Sequence, residues 1–172
     1  ITTNTGMAPV LLKGKNVKSV NQYYNKMKAH YYGILRQGKG AKEGLFTSKH
    51  LSKLDAARHQ KIKDLFHKFS FFITELAAFE NIDTIIIGQN KGWKQQSNIC
   101  KKNNQTFVQI PYLDLISKIR YKAANLGIKV IVTEESYTSK ASFLDEDDIP
   151  TYGDEGVKKF SGRRISRGLY RS

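Results

Sequence analysis

A single cysteine, Cys100, stands in 172 residues. One thiol excludes an internal disulfide framework and any zinc site built from several thiolates, and it makes a reducing, cytoplasmic compartment the default expectation. Long apolar runs are missing too. None approaches the roughly 20 residues that a bilayer span needs, so no membrane partner is expected. No secretory leader is visible, and the chain opens on Ile1 rather than Met, which reads as a fragment of a longer polypeptide. Acid is scarce over most of the length: residues 1–133 hold 7 Asp/Glu against 22 Lys/Arg, a net of +15.

What is present is a globular composition, 40% hydrophobic and 11% aromatic, in a length that fits one domain with a real core. The charge then changes sign locally. Residues 134–155 carry 8 acids and one Lys, a net of −7, and residues 156–172 carry 6 basic residues and no acid. A basic body with one acidic segment suits an enzyme that holds a polyanion around a cation site. The plainer alternative is a soluble basic protein with an acidic loop.

Ile1-Thr2-Thr3 and Val10-Leu11-Leu12 flank a polar turn and predict a β-hairpin. Ser19 predicts the N-cap of a helix from about Val20 to Gln37, with Tyr24, Met27, Tyr31, Ile34 and Leu35 at helical spacing. Gly38 to Gly44 is a glycine-rich loop that follows no strand and is therefore not a phosphate-binding loop. Ser48 predicts the cap of a long basic helix to about Glu80, striped by Leu51, Leu54, Ile62, Leu65, Phe66, Phe69, Ile73, Leu76 and Ala77. His67 on that helix reads as a packing residue rather than a catalyst. Ile82 to Gly88 and Ile128 to Thr133 predict buried strands, with a helix between them over about 108–126. Strand, helix and strand in about 50 residues make a parallel βαβ crossover, so the fold class is α/β.

Active groups on such sheets gather at the carboxyl ends of strands. Glu134 and Glu135 occupy one such end and are the candidate catalytic carboxylates; alternation along a strand sends them to opposite faces if the strand continues. Solvated acids after a strand are the competing reading. Gly88 ends the other strand without a carboxylate. The following loop brings Trp93 among Lys91, Lys94 and Gln95, either a stacking platform for an unpaired base or a residue packed on the sheet. Lys68, Lys101, Lys102 and Lys140, with Arg163, Arg164, Arg167 and Arg171 in the tail, are candidate phosphate contacts. Asp145 to Asp148 lacks the ligand spacing of a calcium loop and reads as a solvated loop without metal.

Five segments in this order resemble the TnpB (OrfB) family of insertion-sequence proteins: DLFHKFSFFI (Asp64 to Ile73), IIIGQNKGWKQ (Ile85 to Gln95), NNQTFVQIPYLDLISKIRYKA (Asn103 to Ala123), EESYTSKASFLD (Glu134 to Asp145) and FSGRRISRGLYRS. Such proteins, long labelled transposases, are similar to RNA-guided DNA endonucleases related to type V CRISPR effectors. The resemblance implies an RNase H-like (RuvC-like) fold in which residues 1–172 form part of a nuclease domain. It further implies DNA and a guide RNA as partners, a cytoplasmic location that is nucleoid-associated in a prokaryote, and carboxylates that hold two Mg²⁺ ions about 4 Å apart.

Three departures qualify the implication. Many relatives carry a glutamate directly after the strand that here ends at Gly88, so the role moves to EESYTSK. Glu135, which precedes SYTS as in that motif, is the expected Mg²⁺ ligand, with Glu134 as the alternative. Relatives often carry a cysteine zinc ribbon after the YTS segment; here Ala141 stands where the first cysteine falls, so about 141–172 reads as a degenerate ribbon without zinc. The family's other two catalytic aspartates fall before Ile1 and beyond Ser172. One catalytic carboxylate of three then lies in this polypeptide, which is expected to be inactive alone. The alternative from another class is a basic nucleic-acid-binding module without chemistry.

Overall fold

The computed structural model describes residues 1–40, 42–90, 108–151, 153, 159–166 and 169–171. The chain divides into two compact units, Ile1–Ile85 with Ser97–Val130 and Ile86–Gln96 with Ile131–Ser172.

In the first unit, helix α1 spans Lys15–Leu35 and starts a turn earlier than the sequence predicts, with Gly14 rather than Ser19 at its N-cap. No side chain caps it. Starting early brings Val17, 3% exposed, into line with Asn21 and Tyr24 on one buried stripe, and that burial outweighs the missing cap. Ile34, expected on the core face, is instead exposed. Helix α2 spans Lys49–Phe79, and Ser48 caps it as expected, its Oγ accepting the Leu51 N–H at 3.2 Å. Asn81 at φ 55° ends it, with Ile82 N–H to the Ala77 carbonyl at 2.8 Å and Asn81 N–H to Ala78 at 3.1 Å.

Helix α3 spans Tyr112–Asn125, shorter than the periodicity suggests. Pro111 sits at its N-cap and biases Ile110 away from helical angles, which sets the start. Gly127 at φ 73° repeats the terminating motif of α2: Ile128 N–H bonds the Ala123 carbonyl at 2.9 Å and Gly127 N–H bonds Ala124 at 3.1 Å. Each helix thus turns at once toward a strand, β1 (Thr84–Gly88) or β2 (Lys129–Thr133). The two strands are paired. Lys129 N–H bonds the Asp83 carbonyl at one end and Gln89 N–H bonds the Thr133 carbonyl at the other, both at 2.8 Å. Both strands therefore run in the same direction, as the crossover predicts.

One core cluster joins Val17, Ile62 and Phe66; another joins Ala77, Ala123 and Ile128 with Ile82, Ile85 and Val130. Between them α2 buries two hydroxyls that hydropathy assigns to the surface. Ser70 Oγ donates to the His67 carbonyl at 3.1 Å and Thr74 Oγ1 to the Ser70 carbonyl at 3.0 Å, so neither is left unsatisfied. His67 lies at the α2–α3 packing, its carbonyl accepting from Lys122 at 2.7 Å. The N-terminal segment departs from expectation. Ile1 and Val10 exchange two backbone hydrogen bonds at 2.8 and 2.9 Å, but residues 1–12 form no strand. In the second unit, β3 (Arg163–Ser166) and β4 (Leu169–Arg171) pair antiparallel. No described helix is long and apolar enough to cross a membrane.

Candidate functional site at the strand ends

Within the second unit, β1 and β2 end side by side. The ladder runs one bond past Gly88, through Gln89 N–H to Thr133, and Asn90 Oδ1 then accepts the Glu135 N–H at 2.6 Å. That bond fixes the backbone of Glu135 beside the end of β1. Asn90 drew no notice in the sequence, because its partner lies 45 residues away. Its one signal is position, two residues past a strand end.

The Glu135 side chain is exposed and folds over Gly88. A Cβ built on Gly88 would lie 2.6 Å from Glu135 Oε2, 2.9 Å from Cδ and 3.2 Å from Cβ. The carboxylate therefore occupies space that any side chain at position 88 would claim. Glycine at the end of β1 and glutamate after β2 are two halves of one arrangement. Glu134 is also exposed, and its Oε1 accepts from Ser136 Oγ at 2.7 Å. Because β2 ends at Thr133, strand alternation does not govern the two glutamates. A tight turn follows: Tyr137 has φ 61°, Thr138 Oγ1 donates to the Glu135 carbonyl at 3.1 Å, and Lys140 N–H bonds the Tyr137 carbonyl at 2.7 Å.

The candidate cations fall in different places. Lys140 is exposed, with Nζ 5.5 Å from the Tyr137 ring centroid. Arg163, Arg164 and Arg171 are exposed on the β3–β4 hairpin, with Arg163 directly opposite Arg171 and Arg164 opposite Tyr170. Like charges in opposed cross-strand positions destabilise a hairpin. Lys68 belongs to the first unit and is ion-paired to Asp64 at 2.8 Å. Lys91, Trp93, Lys94, Gln95, Lys101, Lys102 and Arg167 lie outside the described residues, as does Cys100.

The acidic loop is more than a solvated stretch. Asp147 accepts the Ser142 N–H at 2.8 Å, the Ser161 N–H at 3.0 Å and the Ser161 hydroxyl at 3.0 Å. The Ser142 backbone N–H, followed by Ser161 and Tyr170, holds its carboxyl below the usual carboxylate range. Gly162 N–H also bonds the Tyr170 hydroxyl at 3.0 Å, so one carboxylate gathers the loop and the hairpin. This role was hidden because Ser142 and Ser161 are common residues with no spacing signature.

Among the described residues no group of three or more His, Cys, Asp or Glu side chains is placed to hold a metal ion. Mg²⁺ takes one or two carboxylates and fills its remaining positions with water and substrate phosphate. An exposed Glu135 fits one such ligand, and the described residues supply no complete cage.

No protein-family model matches the chain. Over 127 residues it is 28% identical to the CRISPR-associated endodeoxyribonuclease Cas12f1 of Sulfoacidibacillus thermotolerans, a match that covers 70% of this chain and 29% of that protein. Among solved structures, a cryo-EM structure of a Cas12f1-sgRNA-target DNA complex is similar with a TM-score of 0.46 at 18% identity, over 70% of this chain and 29% of the other. The chain accordingly spans well under half the length of the relative it matches. It is a distant homologue of part of the CRISPR-associated endodeoxyribonuclease Cas12f1.

Proposed function

We propose that the chain is part of the RuvC-like, RNase H-type nuclease domain of a TnpB-type, RNA-guided DNA endonuclease, to which it contributes Glu135 as a metal-binding carboxylate. The observation that carries this reading is the seat of Glu135 over Gly88, at the carboxyl ends of two parallel strands. A group there stands in the place a side chain on β1 would otherwise fill, which is what a carboxylate relocated from β1 to the segment after β2 requires. Bound Mg²⁺ would activate the attacking water and stabilise the leaving oxygen of the phosphodiester.

The chain's own residues have separate tasks. Glu135 offers the carboxylate, Asn90 fixes its backbone, and Gly88 keeps its space clear. Lys140 and the hairpin arginines bind phosphate, and an anion between Arg163 and Arg171 relieves their opposition. The guide RNA and target DNA are the partners of the complete protein, whose other carboxylates join this one.

The test is Glu135→Gln in the complete protein. Mg²⁺-dependent DNA cleavage is expected to fall by at least about 10²-fold, the scale of losing an electrostatic contact made in the transition state, while guide and target binding stay within about twofold. Cleavage at the unsubstituted rate removes Glu135 from the site. The second reading, a binding module without chemistry, is favoured by the paired arginines alone, and metal-dependent nicking by the complete protein overturns it.

A further inference from the structure

A second feature lies in the first unit. Residues 1–42 contain 8 Lys/Arg and no Asp or Glu, and half of that segment is α1. Where α1 meets α2 a groove of about 260 Å³ opens, lined by Val20, Tyr23, Tyr24, Leu54, Arg58 and Lys61 among others. Its chemistry is graded. Tyr24 is buried, Val20 and Leu54 are half-buried, and Tyr23 is 58% exposed beside the exposed Lys61.

The groove is held in shape by Arg58. Its Nε donates to Asn21 Oδ1 at 2.8 Å, its Nη2 to the Gln109 carbonyl at 2.9 Å, and its guanidinium lies 4.9 Å from the Tyr24 ring centroid. Gln109 is itself fixed by two amide bonds to Asn25, at 2.9 and 2.8 Å. Asn21 is fully buried, and its Nδ2 has no acceptor among the described residues. Tyr24 donates to Asp55, and Asp64 is paired with Lys68. Among the described residues no carboxylate lines the groove, whereas the cations Arg58 and Lys61 do.

An apolar floor, one exposed aromatic ring, a fixed guanidinium and an exposed ammonium make up the recognition set for an unpaired base and its phosphate. We propose that the α1–α2 groove binds single-stranded nucleic acid by stacking one unpaired base on Tyr23 and seating the adjoining phosphate on Lys61. A duplex, with its bases stacked on one another, does not fit this role. The site stands on geometry separate from Glu135 and does not rest on the nuclease reading.

The test uses the intact chain in EDTA, with fluorescence anisotropy on three probes: a 12-nucleotide oligothymidylate, its abasic counterpart and a 12-base-pair duplex. The oligothymidylate is expected to bind about 10-fold or more tightly than the abasic strand, the scale of one stacked base. Tyr23→Ala should lose that advantage and Tyr23→Trp should keep it. Lys61→Ala should lower the slope of log K against log salt by about 0.7, one phosphate contact on a single strand. Equal binding of abasic and base-bearing strands, preference for the duplex, no binding, or an unchanged advantage in Tyr23→Ala each overturns the proposal. The abasic comparison needs no variant and therefore does not depend on a substitution that folds. With no cleavage read, failure here leaves Glu135 untouched, and failure of the Glu135→Gln experiment leaves the groove untouched.

Discussion

Gly88→Ala adds one methyl group at the place where the Glu135 carboxylate rests. The backbone does not resist it, because Gly88 is outside the left-handed region in which a side chain is strained. The methyl carbon would sit 2.6 Å from Oε2, so to reach the 3.4 Å of ordinary contact the carboxylate must retreat by about 0.8 Å. Glu135 is exposed and unbranched, so the retreat costs little. Alanine also restricts the unfolded chain, and folding stability should stay within about 1 kcal/mol of the starting value. Under the proposed nuclease function, catalysis responds differently. A displacement near 1 Å of a group in the reacting constellation costs up to about 10²-fold in rate. In single-turnover cleavage of a labelled target by the complete, guide-loaded protein, Gly88→Ala should slow the reaction about 10- to 100-fold with the melting temperature nearly unchanged. Full-rate cleavage by Gly88→Ala, beside a dead Glu135→Gln, would show that the observed seat is not the working position and would refute the reasoning.

Two further outcomes concern the fold. The Asp147 carboxyl is held below the ordinary range by Ser142, Ser161 and Tyr170, so its bonds stabilise the second unit fully above the unfolded-chain value of about 3.9 and are lost as pH falls through the lower folded value; Asp147→Asn should lower the melting temperature at neutral pH and flatten that acid dependence, both read by near-ultraviolet circular dichroism. Phe66→Ala should cost about 3–5 kcal/mol in urea unfolding, since Phe66 is 2% exposed, whereas Phe72→Ala, at an exposed position, should cost under about 1 kcal/mol.

Much of the framework was legible because its signals are local. Ser48 caps α2 through a neighbour three residues on, and Asn125-Leu126-Gly127 closes α3 because glycine tolerates the left-handed turn. The two apolar runs became parallel strands, but not the buried ones they predict: no residue of β1 or β2 is fully buried, and Ile86 is 68% and Ile131 38% exposed, because helices cover the pair on one side only among the described residues. Ser19 misled because a capping residue type is also acceptable inside a helix once Val17 gains burial by joining it. Ser70 and Thr74 escaped notice because their own helix carbonyls satisfy their hydroxyls, a pairing that hydropathy does not register.

The site was legible only in its parts. Glu135 and Gly88 each drew attention, but their relation depends on the register of strands separated by a whole crossover. Nothing within either segment states that one residue lies over the other. Asp147 reads as a solvated acid in the sequence because its donors come from residue 142 and from residue 161, across an intervening loop. The N-terminal segment shows the opposite error, in which β-prone residues and a polar turn bring Ile1 to Val10 without enough partners to make strands.

The most direct measurement of the proposed metal site is iron-directed scission of the complete protein. Fe²⁺ replaces Mg²⁺, ascorbate and peroxide generate hydroxyl radicals at the bound ion, and the cut positions are mapped by mass spectrometry. Cuts clustered at residues 87–90 and 133–136, suppressed by excess Mg²⁺ and absent in Glu135→Gln, are the predicted result. Mg²⁺-suppressible cuts confined to other segments would contradict the account.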